Sequence, residues 1–288
     1  MRKSHRLIES SHLCGWHLGL IIGIALALTG CTSRSERELS QAKAELSAGN
    51  QKAALNRLEN LLLIDPDDSV TLNAAREGAR ISFFEAKDFQ RAIRFNEHLV
   101  LYSTDPEEVI RSQKQIVLIY LEHLQDYEKS IIEIGRVLSI ETDPKEVVDL
   151  RMKLARSFYH LKRFFQALTE INEALKSKEG KAEEFALLLL KANVLTADKK
   201  FPEAVTIYQQ LMGMDRARAI KENVPMTLAV CLEETKDFTQ AMDVLEKIKP
   251  EYPVPEYVDL RIKRLKERAK NQPKTKAKPE QAKKSEKK

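Results

Sequence analysis

The sequence predicts an all-α fold, an α-solenoid of about six helix-turn-helix repeats closed by a C-terminal capping helix. Three observations predict it. An aromatic residue followed three positions later by a small one recurs as Phe89/Ala92, Tyr127/Ser130, Phe164/Ala167, Phe201/Ala204 and Phe238/Ala241, and the small residues lie 38, 37, 37 and 37 positions apart. One step of 38 further back sits Ala54. A fixed period in the thirties marks an architecture in which one unit recurs and buries its neighbour's apolar face. After each small residue, apolar side chains return at +1, +7 and usually +4, as in Leu55, Leu58, Leu61 or Ile131, Ile134, Val137. Those steps are one stripe of an amphipathic helix. A second stripe precedes each turn, with Ala155, Ala192 and Ala229 spaced by 37. Finally, glycine (9) and proline (10) are sparse while 32% of residues are charged, which suits helices with solvated outer faces.

Each unit therefore reads as helix A, a tight turn and helix B. The small residue lets two helices approach, and the aromatic fills the wedge between them. This pattern resembles the tetratricopeptide repeat, whose second half is matched in spacing by Gly49, Ala54, Leu58, Leu61 and Pro66. The sequence departs from that pattern at Gln51, where an aromatic belongs, at Ser130, and in a period longer than about 34 residues. The extra residues are expected in the loops between repeats. The resemblance implies a fold and not a function.

Residues 1–30 read as a lipoprotein signal peptide. Arg2, Lys3, His5 and Arg6 precede an apolar run from Leu18 to Leu28, which is the length of a leader's apolar core and short for a membrane span. Leu28-Thr29-Gly30-Cys31 resembles the lipobox of bacterial lipoproteins. That resemblance implies cleavage before Cys31 and a lipid on its thiol, with palmitate among the acyl chains. The alternative is an uncleaved anchor with an incidental cysteine. Thr32 in the next position implies, again by resemblance, the periplasmic face of the outer membrane.

Residues 31–37 are expected as a lipidated linker and 38–253 as the repeat array. Asp105-Pro106 and Asp143-Pro144 each place a capping Asp before a Pro at the first helical position, succeeded by acids that the helix dipole favours. Asp65-Pro66-Asp67-Asp68-Ser69 does similar work one repeat earlier. A late start for the sixth unit at Val224-Pro225 leaves 214–223 as an unassigned junction. The capping helix is expected over 254–270, covering the open end with Tyr257, Leu260 and Leu265 and turning Arg261, Lys263, Arg264, Lys266, Glu267 and Arg268 outward. Residues 271–288 hold seven lysines, two glutamates and no large apolar side chain, the composition of a disordered tail.

The net charge of +5 resides at the ends, +2 in the first thirty residues and +5 in the last eighteen, which leaves residues 31–270 at −2. A nucleic-acid partner for the repeats is therefore not expected. The tail has anionic lipid or cell-wall polymer as candidate partners, against a plain solubilising extension. Cys14, Cys31 and Cys231 make no disulfide framework. No phosphate loop, nucleophile elbow or zinc-helix motif is present. His98, His123 and His160 are read as surface residues near helix ends, so neither enzyme activity nor a metal or other cofactor is expected.

By the resemblance, helix A residues line an inner concave surface. The equivalent positions here include Glu122, Met152, Arg156, Tyr159, Leu189, Asn193, Met226 and Glu233, a mixture able to accept a partner segment. The lysine and asparagine set that clamps a terminal carboxylate in some family members is absent. The implied role is a membrane-anchored periplasmic scaffold that binds other envelope proteins and serves assembly of an outer-membrane complex. Its layout resembles that of the barrel-assembly repeat lipoproteins and of the type IV pilus pilotins. The alternative is an adaptor that recruits cell-wall (peptidoglycan) enzymes.

Overall fold

The computed structural model describes residues 33–177 and 180–271. Among these, fourteen α-helices and no strand are found. The chain divides into two compact units, residues 1–116 and 117–288.

The first unit opens with α1 (Arg34–Ser47) and α2 (Gln51–Leu61), then α3 (Ser69–Arg80), α4 (Phe89–Tyr102) and most of α5 (Pro106–Leu118). Of the stretch read as linker, residues 34–37 belong to α1. Ser33 caps Glu36 N–H while the Glu36 carboxylate accepts from Ser33 N–H, a reciprocal capping box that starts the helix at Arg34. The core gathers Ala42, Leu55, Leu58, Leu61, Ala74, Ile81, Phe95 and Leu99. Phe95 lies so close over Gly78 that a Cβ there would stand 2.5 Å from its ring. Arg94 reaches Glu59 and Arg91 reaches Asn56, both 35 residues back, so α4 lies along α2 in the same direction. Arg76 grips Glu108 with two hydrogen bonds of 2.6 and 2.8 Å, tying α3 to α5.

The second unit continues with α6 (Tyr127–Leu138), α7 (Pro144–His160), α8 (Phe164–Ser177), α9 (Lys181–Ala197), α10 (Phe201–Met214), α11 (Arg216–Lys221), α12 (Val224–Glu234), α13 (Phe238–Ile248) and α14 (Pro255–Lys270). The short α11, capped by Asp215, fills the junction left unassigned in sequence. Asn223 then turns the chain through a left-handed conformation into α12.

The small residues behave as the period requires. Ala54, Ala92, Ser130, Ala167, Ala204 and Ala241 are all fully buried. Ser130 keeps its place by bonding its hydroxyl to Ser157 Oγ at 2.8 Å and to the Tyr127 carbonyl. Of the aromatics, Phe238 is buried and the other four are half-buried.

Every hairpin turns through one left-handed residue: Gly49, Lys87, Gln125, Lys162, Lys199 and Lys236. Only the first is the glycine that such a turn prefers. After α7, α9 and α12 the closing bonds run from Arg163 N to Phe158 O, Lys200 N to Leu195 O and Asp237 N to Leu232 O. After α3 and α5 the chain makes one wider π turn, Ile81–Glu85 and Ile119–His123, with Ala86 N bonding Ile81 O and Leu124 N bonding Ile119 O. The residue that stretches the period from 37 to 38 is thus absorbed at the end of helix A. That one residue sits in the helix end because a π turn adds a residue without displacing the next stripe.

The last helix is turned differently from expectation. Val258, Ile262 and Leu265 are its buried stripe, while Tyr257 and Leu260 face solvent. Arg261 and Arg268 point inward to Glu233 and not outward.

Candidate functional site on the helix A face of the second unit

The proposed partner-binding residues form columns, because positions separated by the period of 37 repeat along the second unit. Arg156, Asn193 and Val230 make one column, Met152, Leu189 and Met226 a second, and Glu122, Tyr159, Thr196 and Glu233 a third. Val230 and Thr196 were missed in sequence, although adding 37 to Asn193 and to Tyr159 would have found them.

The first column is open throughout. Arg156 and Asn193 are exposed, and Val230 shows 38% of its surface. Asn193 is held in place from below by the Tyr208 hydroxyl, which donates to its Oδ1 at 2.8 Å. Burial raises the Tyr208 pKa, so the phenol stays a neutral donor. The same hydroxyl lies 3.2 Å from Thr196 Oγ1, which stands 3.4 Å from Cys231 Sγ. Burial likewise pushes the Cys231 thiol up, so it is a packing residue of α12 and not a nucleophile.

The second column sinks progressively. Met152 and Leu189 are half-buried, and Met226 is buried in the core beside Phe185 and Leu228. Met152 also lines a cleft of about 340 Å³ between the first turns of α7 and α9, with Val148 and Leu187 as apolar neighbours and with Lys145, Glu146, Asp149 and Glu183. An apolar lining with three acids to one lysine suits an apolar side chain carried beside a basic one.

The third column begins exposed at Glu122, is half-buried at Tyr159 and ends sealed at Glu233. Tyr159 packs edge-on to His160 and near Phe164. Glu233 retains only 3% of its exposure and bonds to Arg261 and Arg268 of α14. Met226 and Glu233 are therefore not free to meet a partner. An acid buried at this depth needs paired charge, and the chain's own last helix supplies it.

The histidines divide. His160 at the end of α7 stacks on Tyr127 with ring centroids 4.4 Å apart and stays exposed, as expected. His98 is buried, contrary to expectation, with Nε2 2.8 Å from the Pro66 carbonyl, and burial lowers its pKa. Among the described residues no cluster of three or more His, Cys, Asp or Glu side chains is placed to hold a metal. Cys31 and the lysine-rich tail beyond Asn271 lie outside the described residues.

No curated protein matches the sequence. A tetratricopeptide-repeat profile matches residues 195–263, from the end of α9 into α14. Among solved structures, a complex of Naa15/Naa10 bound to HypK superposes with a TM-score of 0.63 at 13% identity, covering 88% of this chain and 36% of that one. This chain thus spans little more than a third of that protein's length. The C-terminal part of a TPR repeat-containing protein from Cytophaga hutchinsonii superposes at 0.54 with 15% identity, covering 84% and 93%. PilW, a type IV pilus biogenesis factor, superposes at 0.48 with 13% identity, covering 79% and 98%, too loosely to carry an argument. At these identities the likenesses concern the fold alone. Residues 195–263 carry the tetratricopeptide-repeat pattern, and the described chain folds as a series of tetratricopeptide-like helix-turn-helix repeats.

Proposed function

We propose that the protein is a non-catalytic scaffold that binds a segment of another protein along the helix A face of α7 and α9. The observation that carries this reading is the open column of Arg156, Asn193 and Val230, one side chain from each of three successive helix A positions. Tyr159, Met152 and Leu189 stand half-buried beside it. Half-buried Met and Tyr next to exposed Arg and Asn give apolar contact area with orienting polar groups, the make-up of a peptide-accepting surface. The cleft at Met152 favours a partner segment with an apolar anchor and a neighbouring Lys or Arg.

The lipobox-like Leu28-Thr29-Gly30-Cys31 supports the second half of the reading. The scaffold is a lipoprotein held by Cys31 to the periplasmic face of the outer membrane, where it serves assembly of a membrane complex. Affinity capture from envelope extracts tests both halves, with the lipidated protein compared against an Arg156→Glu variant. The expected result is enrichment of outer-membrane assembly components by the wild type and their loss with Arg156→Glu. Capture of peptidoglycan hydrolases instead would transfer the scaffold to the cell-wall role. Equal capture by both proteins would remove the helix A face from the account.

A further inference from the structure

We propose that one end of the first unit rests directly on the bilayer, with Leu63 and Leu101 as its contact residues. The inference rests on the anchoring reading above. It begins with the length of the tether. Only Thr32 and Ser33 separate Cys31 from α1, and a fully extended chain gains at most about 3.5 Å per residue, so Arg34 stands within about 10 Å of the lipidated residue. The capping box at Ser33 leaves no slack on the helix side.

That end of the unit is therefore held at headgroup depth. Helices α1 and α2 are antiparallel, bridged by Arg57 and Glu38, so the end of α2 returns to the start of α1. Leu63 lines one cleft with Arg34 and is 83% exposed. Helix α4 runs alongside α2 in the same direction and ends at the same level, where His98 bonds the Pro66 carbonyl. There Leu101 is 73% exposed, 38 residues after Leu63 at the same register, with the partly exposed Tyr102 beside it. Single exposed leucines are ordinary on a protein surface. Two at one register, at the end where the tether emerges, are placed to enter the acyl boundary, and Tyr102 suits the headgroup layer.

The neighbouring charges decide the lipid. Arg34 and Arg57 line the Leu63 cleft, Arg57 paired with Glu38, and they are outnumbered by Asp65, Asp67, Asp68 and Asp105 in the same loops, with Asp68 capping α3 and Asp105 accepting from Glu107 N–H and Arg111. The contact is accordingly apolar, is made on zwitterionic lipid, and is weakened by anionic lipid.

The test uses the full-length lipidated protein, purified from envelopes and reconstituted with phosphatidylcholine vesicles. Its only native tryptophan is Trp16, within the leader. Leu63→Trp and Leu101→Trp report the proposed edge, and Phe84→Trp, exposed in the turn at the opposite end of α3, is the control. The expected result is a blue shift and at least about twofold quenching by brominated lipid at the first two sites, with neither at the third. Vesicles that float the protein while all three probes stay unquenched overturn this proposal and leave the anchor standing. A protein that does not float overturns the anchoring reading and this proposal with it. Quenching that strengthens with anionic lipid overturns the apolar contact argued here.

Discussion

Two stretches of the same helix A face, α7–α9 and α12, come from one repeating register and end in different states. On α7 and α9 Arg156 and Asn193 are exposed and Met152, Tyr159 and Leu189 half-buried, while on α12 Val230 stays exposed and Met226 and Glu233 are shut. The difference does not come from the hairpins, since all three helices close through a left-handed lysine and the same pattern of backbone bonds. At Glu233 it comes from the C-terminal helix. Beyond the α12–α13 hairpin the chain adds α14, the last helix among the described residues, and the arginines of α14 close on Glu233. A repeat array needs a terminal element to cover its exposed core. Here the same element also takes Glu233 out of the binding face.

The comparison can be broken at the closed end. Glu233→Gln keeps the shape but removes the charge that Arg261 and Arg268 share, and is expected to cost about 2 kcal/mol, read as a lower midpoint in urea. Limited proteolysis of the same variant should cut within α14 before the hairpins. A protein that melts as the wild type does would mean that α14 is held by Val258, Ile262 and Leu265 alone. At the open end, Tyr208→Phe removes the bond that orients Asn193 and leaves a space against Thr196, which should lower stability by about 1 kcal/mol. It should weaken partner capture more than that loss of stability explains.

A surface-linked carboxylate in the first unit sharpens the contrast with Glu233. The Arg76 guanidinium beside Glu108, helped by the Ser103 hydroxyl, holds that carboxyl at about 2. Because the folded value is depressed, its contribution is complete above the ordinary carboxylate range near 4.5 and is lost as pH falls toward 2. Arg76 is 44% exposed, so solvent limits the effect to about 1 kcal/mol. The Glu108→Gln variant should lose that part of the acid dependence, tracked by circular dichroism from pH 5 to 2.

Smaller still is the change expected from Lys199→Gly. Lys199 has a φ of 60°, which costs a residue with a Cβ about 1 kcal/mol, partly offset by glycine's freedom in the unfolded chain. A net gain of about 0.5 kcal/mol is expected, and the same gain at Lys236 would confirm that the open and closed repeats share one backbone.

Much of this fold was written in the period. The recurrence of an aromatic and a small residue located every hairpin from Phe89 to Phe238, and each small residue proved fully buried. The π turns at Ile81–Glu85 and Ile119–His123 were not legible, because an added residue looks the same in sequence whether a loop or a helix end absorbs it. The left-handed lysines were hidden because the cost of that conformation is small and lysine carries no turn signal. The site was half legible. The register picked out Arg156 and Asn193, which are exposed. It could not give the burial of Glu233, which depends on the direction in which α14 turns its arginines. Arg261 and Arg268, seven residues apart and so on one face, were the available hint.

The most direct measurement of the open face is site-specific photocrosslinking in intact envelopes. A photoreactive phenylalanine derivative placed at Asn193, on the open helix A face, is compared with one at Phe165, which is 80% exposed on α8. A discrete crosslinked partner is predicted from Asn193 and none from Phe165. A partner captured at Phe165 with Asn193 silent would contradict a helix A binding face.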